Sequence, residues 1–288
     1  MVQEAQEVSE AEAQGNIKDT YEDIKATLRV PYVGSVFRAL AVYPDYLLMG
    51  WRALKPNAQT LFFERFADDI RARAAEAVST WESTLWPPRE GETKRIIRVL
   101  HYAVPKQFLA TEALRSATNG QQPMLAQLPP AEKRQIAPGI PQDAEELDLP
   151  DPYLLDDRAR PVLDDMVRTL GLPFADGDYR ILAQWPDYLL SAWQVWRPNL
   201  ESSPYRLLER DLRRLAGEAL STLPFRMEIY PHALRHAGLS EQQLDGVRAT
   251  LDSFSRALPG LVAHSAFLRI AADGKESARK SPFPPSVS

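Results

Sequence analysis

One stretch of this chain is written twice. Pro31–Asn57 reads PYVGSVFRALAVYPDYLLMGWRALKPN, and Pro173–Asn199 reads PFADGDYRILAQWPDYLLSAWQVWRPN. The two align without a gap at an offset of 142 residues (173 − 31), and twelve positions are identical, including Arg38/Arg180, the PDYLL run and Trp51/Trp193. The duplication continues further on. At an offset of 154 (259 − 105), Val104–Gly120 matches Leu258–Gly274, with Pro105/Pro259, Leu114/Leu268, Arg115/Arg269, Ala117/Ala271 and Gly120/Gly274 coinciding. The second copy thus carries an insertion of 12 residues (154 − 142) before its last segment. Two copies of one unit are expected to pack against each other, so the architecture predicted is an intramolecular pseudo-dimer. The repeat is also an internal control. Residues shared by both copies serve the fold, and polar residues found in one copy alone are candidates for chemistry.

The repeated unit reads as helical. Tyr21, Ile24 and Leu28 recur at i, i+3, i+7, as do Leu163, Met166 and Leu170; Leu47, Leu48, Trp51 and Leu54 form a second stripe matched by Leu189, Leu190, Trp193 and Trp196. Period-2 alternation of β-branched residues is nearly absent. Pro44 and Pro186 suit the first turn of a helix, where the missing N–H would be unpaired anyway. Pro56 and Pro198 are expected to stop the helices they follow, and Gly120 and Gly274 to sit just past helix C-termini. The fold class predicted is all-α, with two pseudo-symmetric helical repeats at 16–120 and 158–274. Between them, residues 121–157 contain Pro123, Pro129, Pro130, Pro138, Pro141, Pro150 and Pro152 and read as a surface linker. Residues 1–15, acidic and without an apolar core, read as a flexible N-terminus, and 275–288 as an extended C-terminal tail.

Composition excludes several classes of function. A net charge of −5 and a pI near 5.5 argue against a nucleic-acid partner, which would need clustered Lys and Arg. No apolar run approaches the roughly 20 residues that span a bilayer, and the N-terminus is not a secretory signal, so a cytoplasmic protein without a membrane partner is expected. The absence of cysteine removes disulfides, thiolate metal sites and thiol redox chemistry together.

Few side chains remain as candidates for chemistry. Asp45 and Asp187 occur in both copies just after a helix-starting proline, where a carboxylate offsets the positive helix N-terminus, so they read as structural. Asp178 breaks the repeat: its counterpart is Val36. Asp176 also stands alone, opposite Gly34. For Asp178 the bland reading is an N-cap, and the functional one is a general base kept ionised at a helix N-terminus. His232 and His236 have zinc-ligand spacing on a helix but lack the glutamate and further ligands of such a site, so no metal is expected. His101 lies on an apolar helix and reads as a buried, hydrogen-bonded core residue. GxSxG, P-loop and GxGxxG motifs are absent.

Four segments resemble one family. DTYEDIKATLRVPYVG (Asp19–Gly34), RVLHYAVPKQFLATEAL (Arg98–Leu114), GDYRILAQWP (Gly177–Pro186) and KSPFP (Lys280–Pro284) are similar to the DehI-type 2-haloacid dehalogenases, which act on D- and L-2-haloalkanoic acids without a cofactor. The resemblance covers both repeats and the tail. It implies an all-α pseudo-dimer with its active site between the repeats. It also implies hydrolysis of a carbon–halide bond by an aspartate-activated water, with inversion and no covalent intermediate. Residue by residue, it makes Asp178 the catalytic aspartate. It places Tyr32, Ser35, Val104, Gln107 and Phe254 around the substrate. Val104 replaces a family asparagine, Gln107 a tyrosine, Ser35 a pocket aromatic and Phe254 a tyrosine. Gln107 and His101 lie one helical turn to either side of Val104 and could take over its polar role. The partner expected is a small carboxylic acid, and the chain could pair as a homodimer. Two other readings stay open: a divergent member acting on or binding another small carboxylic acid, and a non-catalytic helical pseudo-dimer in which Asp178 is only a cap.

Overall fold

The computed structural model describes residues 7–81, 91–121, 129–144, 147, 150 and 155–285. These are helical, with no β-strand among the described residues beyond an isolated bridge between Thr60 and Gln135. In chain order the helices are α1 (Gly15–Leu28), α2 (Ser35–Leu40), α3 (Pro44–Ala58), α4 (Leu61–Val78), α5 (Gly91–Thr118), α6 (Arg160–Leu170), α7 (Gly177–Leu182), α8 (Pro186–Trp196), α9 (Ser203–Ser221), α10 (Pro231–His236), α11 (Glu241–Asp273) and α12 (Lys275–Ala278). A 3₁₀ turn, Arg197–Glu201, follows α8. The two longest helices, α5 and α11, pack along each other and carry an almost unbroken buried stretch, from Ile96 to Leu114 and from Leu251 to Arg269. Among the described residues no helix is long and apolar enough to cross a membrane.

Sequence identity between the copies becomes identity of detail. The starts of α2 and α3 recur in α7 and α8 at the offset of 142. The Trp51 indole N–H donates to Asp23 at 2.7 Å, and that of Trp193 to Asp165 at 2.8 Å. Each tryptophan also meets an α2 or α7 aromatic edge-on, Phe37 in one copy and Tyr179 in the other. Arg38 and Arg180, equivalent and buried, converge on one carboxylate: Glu7 accepts from Arg38 Nε at 2.9 Å and from Arg180 Nη1 at 2.6 Å.

That last contact corrects an expectation. Residues 7–14 do not fray. Val8 N–H donates to the Arg38 carbonyl, the Tyr21 hydroxyl to the Val8 carbonyl, and Val33 N–H to Glu10. Residues 1–6 lie outside the described residues. The stretch expected to be a surface linker is tied to the helices at described points. The carbonyls of Glu132 and Arg134 accept from the N–H groups of Phe62 and Leu61, which open α4 and would otherwise be orphaned. The remainder of 121–157, at 122–128, 145–146, 148–149 and 151–154, lies outside the described residues. The C-terminal segment is not wholly extended either. It opens with α12, and Phe283 is buried edge-on against Tyr102; residues 286–288 are outside the description.

One proline departs from expectation: Pro198 follows α8 in the 3₁₀ turn, whereas Pro56, expected to stop a helix, lies within one. Pro44 and Pro186 open α3 and α8, and Pro105 and Pro259 lie in the middle of α5 and α11. A proline inside a helix removes the donor for the carbonyl four residues earlier. For Pro105 that carbonyl belongs to His101. The structure fills the gap with Arg71 from α4, whose Nε donates to the His101 carbonyl at 3.0 Å and whose Nη2 donates to the Tyr102 carbonyl at 3.1 Å. The guanidinium is fully buried, ion-paired to Asp68 and lies over the Tyr102 ring. Gly120 behaves as expected: its φ is +83°, and with Gln121 it returns N–H groups to Ala117 and Ser116. Gly274, also at φ +83°, likewise sits just past the end of α11, and it also opens α12.

The pairing of Arg71 with Pro105 is testable by a double-mutant cycle. Arg71→Met strands a buried carbonyl and should cost about 3 kcal/mol in urea unfolding. Pro105→Ala supplies a backbone N–H for the same carbonyl and should recover at least about 1 kcal/mol in the Arg71→Met background. Strictly additive effects would show that Arg71 does not serve the proline gap.

Candidate active site

Asp178 sits in the first turn of α7 but does not cap it. The cap is Asp176, whose Oδ1 accepts from the Asp178 backbone N–H at 3.0 Å. The bland reading of Asp178 therefore belongs to its neighbour. With the terminus satisfied, the Asp178 carboxylate is released to a separate environment. It is buried, at 4% exposure, and its Oδ1 accepts from the Tyr32 hydroxyl at 2.6 Å. Burial, and then the Asp176 carboxylate, push Asp178 well above the usual carboxylate range, against the opposing pull of the Tyr32 hydrogen bond and the charge of Arg38.

The groups around Asp178 come mostly from the first copy. Tyr32 lies in the turn between α1 and α2. Its hydroxyl accepts from Gln107 Nε2 of α5 at 3.1 Å while donating to Asp178, giving a directed chain Gln107→Tyr32→Asp178. Gln107 can approach because residue 34 is glycine: a Cβ there would stand 2.5 Å from Gln107 Cδ. The Tyr32 phenol is itself held protonated, raised well above its ordinary value by burial and by the Asp178 charge.

Ser35 opens α2 and joins the two copies. Its Oγ accepts from Gly177 N–H at 2.8 Å and from Arg38 Nη2 at 3.0 Å, and Ser35 favours the charged form of Asp176. Asp176 thus has the Asp178 backbone N–H as a donor and the support of Ser35 and the Arg38 charge, yet burial still raises its pKa.

The turn that carries Tyr32 is anchored independently. α1 ends with Arg29 at φ +60°, a left-handed conformation uncommon for a residue with a Cβ. The exposed end carbonyl of Leu28 is taken by Lys106 Nζ at 2.9 Å. That lysine is buried, ion-paired to Glu64 at 2.7 Å and 3.7 Å from the centroid of the Tyr102 ring. Burial lowers its pKa to about 8 against the supporting charge of Glu64.

The remaining sequence candidates divide. Val104, 1% exposed, lies on α5 one turn before Gln107 and offers an apolar side chain. Phe254 of α11 meets Phe174 edge-on at 5.9 Å; Phe174 is the second-copy counterpart of Tyr32 and lies in the turn that leads to α7. His101 is not brought to the cluster. Its Nε2 engages the Ala278 carbonyl at 2.8 Å, so it holds α12 in place, and burial together with Arg71 keeps it neutral, well below the usual histidine range. It cannot take over a role beside Val104. His232 and His236 stack at 6.5 Å on α10, and no group of three or more metal-ligating side chains occurs among the described residues.

Two groups escaped the sequence reading. One is Asp176 in its double role. The other is His264 on α11, buried against Trp196, whose Nδ1 lies 2.9 Å from the Tyr179 hydroxyl. Burial drives His264 down to about 3, so it is neutral and its Nδ1 shares a hydrogen bond with the Tyr179 hydroxyl. Its copy-one counterpart is Ala110, and that of Tyr179 is Phe37, so the same comparison that singled out Asp178 could have found both. A separate cavity of about 430 Å³ is lined by Arg95, Arg98 and Arg269 but by none of the Asp178 cluster. There Arg98 and Arg269 share Asp273, which ties α5 to α11.

A family model described as "Halocarboxylic acid dehydrogenase DehI" matches residues 31–122. The chain is 30% identical over 273 residues to an (R)-2-haloacid dehalogenase of Pseudomonas putida, covering 88% of each chain. It is 28% identical over 292 residues to a configuration-inverting 2-haloacid dehalogenase of Alcaligenes xylosoxydans xylosoxydans, covering 96% of this chain and 97% of that one. Among solved structures, a complex of a D-2-haloacid dehalogenase mutant with D-2-CPA superposes with a TM-score of 0.86 at 28% identity, over 92% of this chain and 95% of the other. The complex of a D-2-haloacid dehalogenase with L-LA gives 0.85 over the same shares. The chain belongs to the DehI family of 2-haloacid dehalogenases.

Proposed function

We propose that this protein hydrolyses short 2-haloalkanoic acids to 2-hydroxyalkanoic acids, with Asp178 as the general base. The supporting observation is a buried carboxylate that is not spent on capping its helix. One of its oxygens is fixed by Tyr32, and the other is free to face a water. The water loses a proton to Asp178 as its oxygen bonds to C2; the C2–halogen bond breaks and the halide leaves with the bonding pair. Attack from the face opposite the halogen inverts C2, as the name of the Alcaligenes relative describes for that enzyme. Burial serves this chemistry twice: it raises the basicity of Asp178 and removes competing water from the charge developing on the halide. Val104 and Phe254 supply apolar walls, and Ser35 and Gln107 order the polar side. All of these groups come from one chain, so a second copy is not needed to complete the cluster. The reading also places the protein in the cytoplasm, with repeats 16–120 and 158–274 packed as an intramolecular pseudo-dimer around the site.

Chloride release from D- and L-2-chloropropionate tests the reading directly. Asp178→Asn should lower kcat by about 10³-fold or more, the scale of a lost general base. The same variant should melt no lower than wild type at pH 8. The sign follows from the direction of the shift. A carboxyl whose folded pKa is raised loses folded-state stability as pH climbs from its unfolded value towards the folded one, and asparagine removes that loss. Lowered stability with chloride release intact would return Asp178 to a structural role. In single-turnover reactions run in H₂¹⁸O, the label should enter the product and not the protein.

Gly34→Ala tests the polar chain from its far end. The added methyl must displace Gln107, whose amide is the flexible end of a side chain, so the melting temperature should change little. Loss of the Gln107→Tyr32 bond should lower kcat/KM by roughly 10–100-fold, the scale of small misplacements at a reacting centre. Unchanged kinetics would show that Gln107 does not order the site.

A further inference from the structure

Two neighbours of Asp178 act on it with opposite sign. We infer that Tyr32 and Asp176 are an opposed pair of positioning residues that together set the pH above which Asp178 becomes a base. The inference rests on the reading of Asp178 as the base and adds what controls it.

The geometry makes both effects direct. The Tyr32 hydroxyl donates to Asp178 Oδ1 at 2.6 Å, and a donor to a carboxylate favours the ionised form. Tyr32 cannot swing away, because its own oxygen accepts from Gln107 and the turn bearing it is fixed through Lys106, Glu10 and Arg38. Asp176 is covalently two residues away, buried at 2% exposure, and bound to the backbone N–H of Asp178 itself. Two carboxylates this close in a site with little water resist simultaneous ionisation. Asp176 accepts from the Asp178 backbone N–H, and Arg38 and Ser35 also favour its charged form, whereas the Asp178 carboxylate has Tyr32 as its donor. Asp176 therefore keeps its charge more easily, and the shared proton rests on Asp178 until the pH rises.

The other charged and titratable groups around α7 do not remove this competition. Arg38 of α2 lowers both carboxylates but is also committed to Glu7 and the Val33 carbonyl. Arg180 of α7 is turned to Glu7 and the Pro150 carbonyl. On α11, His264 is neutral and engaged by Tyr179, whose phenol is kept protonated. On α5, Lys106 is closed into its pair with Glu64. The consequence is a working range set on the alkaline side of an ordinary carboxylate. Tyr32 widens that range towards acid, and Asp176 narrows it.

The test is a pair of single variants read by midpoint as well as by rate. Asp176→Asn removes the charge but leaves a side-chain oxygen able to cap α7, so the fold should hold. Tyr32→Phe removes only the hydroxyl. In pH profiles of kcat for chloride release, the acid limb of Asp176→Asn should move down by about one pH unit and that of Tyr32→Phe up by about as much. The kcat deficit of Tyr32→Phe should accordingly shrink as pH rises. A second readout does not depend on turnover: infrared difference titration of the protonated carboxyl band that Asp178→Asn abolishes. Its midpoint should move in the same two directions. Midpoints that stay fixed, or that move the same way in both variants, overturn the inference while leaving the dehalogenase reading intact if chloride is still released. Opposed infrared shifts in a protein that releases no chloride would uphold the control of Asp178 and sink the dehalogenase reading.

Discussion

A buried carboxylate is the constraint around which this site is organised. An aspartate taken out of water must find donors or take up a proton, and either outcome decides what it can do. Asp178 receives a strong donor in Tyr32 and a repelling neighbour in Asp176. Most of the cluster can be read as a consequence. Gly34 is required because Gln107 must come close enough to orient Tyr32. Ser35 takes the Gly177 N–H at the head of α7 and favours the charged form of Asp176. Arg38 compensates the negative charge of both carboxylates, and its own excess is absorbed by Glu7.

The same logic extends outward into the scaffold. Tyr32 must be held to within a few tenths of an ångström, yet it lies in a turn. The turn is fixed by an unusual set of buried charges. Lys106 closes the C-terminus of α1, Glu64 neutralises Lys106, and Arg71 fills the carbonyl gap left by Pro105 one turn away on α5. Buried ion pairs add little net stability over apolar packing. They do have definite geometry, because each member is useless without its partner. The proline contributes in the same sense: by freeing a carbonyl it creates a demand that a single buried guanidinium satisfies, and α4 is thereby registered against α5.

Much of this was legible in the sequence, for identifiable reasons. Helix periodicity is a property of nearest neighbours along a face, so α1, α3, α6 and α8 could be read from their stripes, and Pro44 and Pro186 from the local chemistry of a first turn. Asp178 was legible because the duplicated segment supplied a background without it. What stayed hidden depends on contacts distant along the chain. Nothing local distinguishes Asp176 from Asp178 as the cap; the choice is made by where Ser35 and Tyr32 lie. Nothing local shows that the carbonyl freed by Pro105 is served by Arg71, which comes from another helix. His101 reads equally well as a site residue until Ala278, far along the chain, takes its Nε2. The acidic N-terminus reads as loose because the arginine pair that fixes Glu7 is drawn from both copies.

Duplication poses a chemical problem, since it makes every position in a site available twice. Along the register of the repeat, each polar group of the cluster has a counterpart that is apolar or lacks a side-chain heteroatom: Val36 for Asp178, Phe174 for Tyr32, Leu261 for Gln107, Gly177 for Ser35, Gly34 for Asp176. The accessory pair follows the same rule, with Phe37 for Tyr179 and Ala110 for His264. The polar members are not gathered in one copy. Tyr32, Ser35 and Gln107 come from the first, and Asp176 and Asp178 from the second, so neither copy alone holds the constellation. Their counterparts carry no buried charge or hydroxyl to satisfy, and Phe174 packs edge-on against Phe254. A second buried carboxylate at position 36 would need its own phenol, its own amide and its own cap, and would otherwise strand an uncompensated charge in the core. One polar set and one apolar set let a repeated scaffold carry the Asp178 carboxylate once, without that cost.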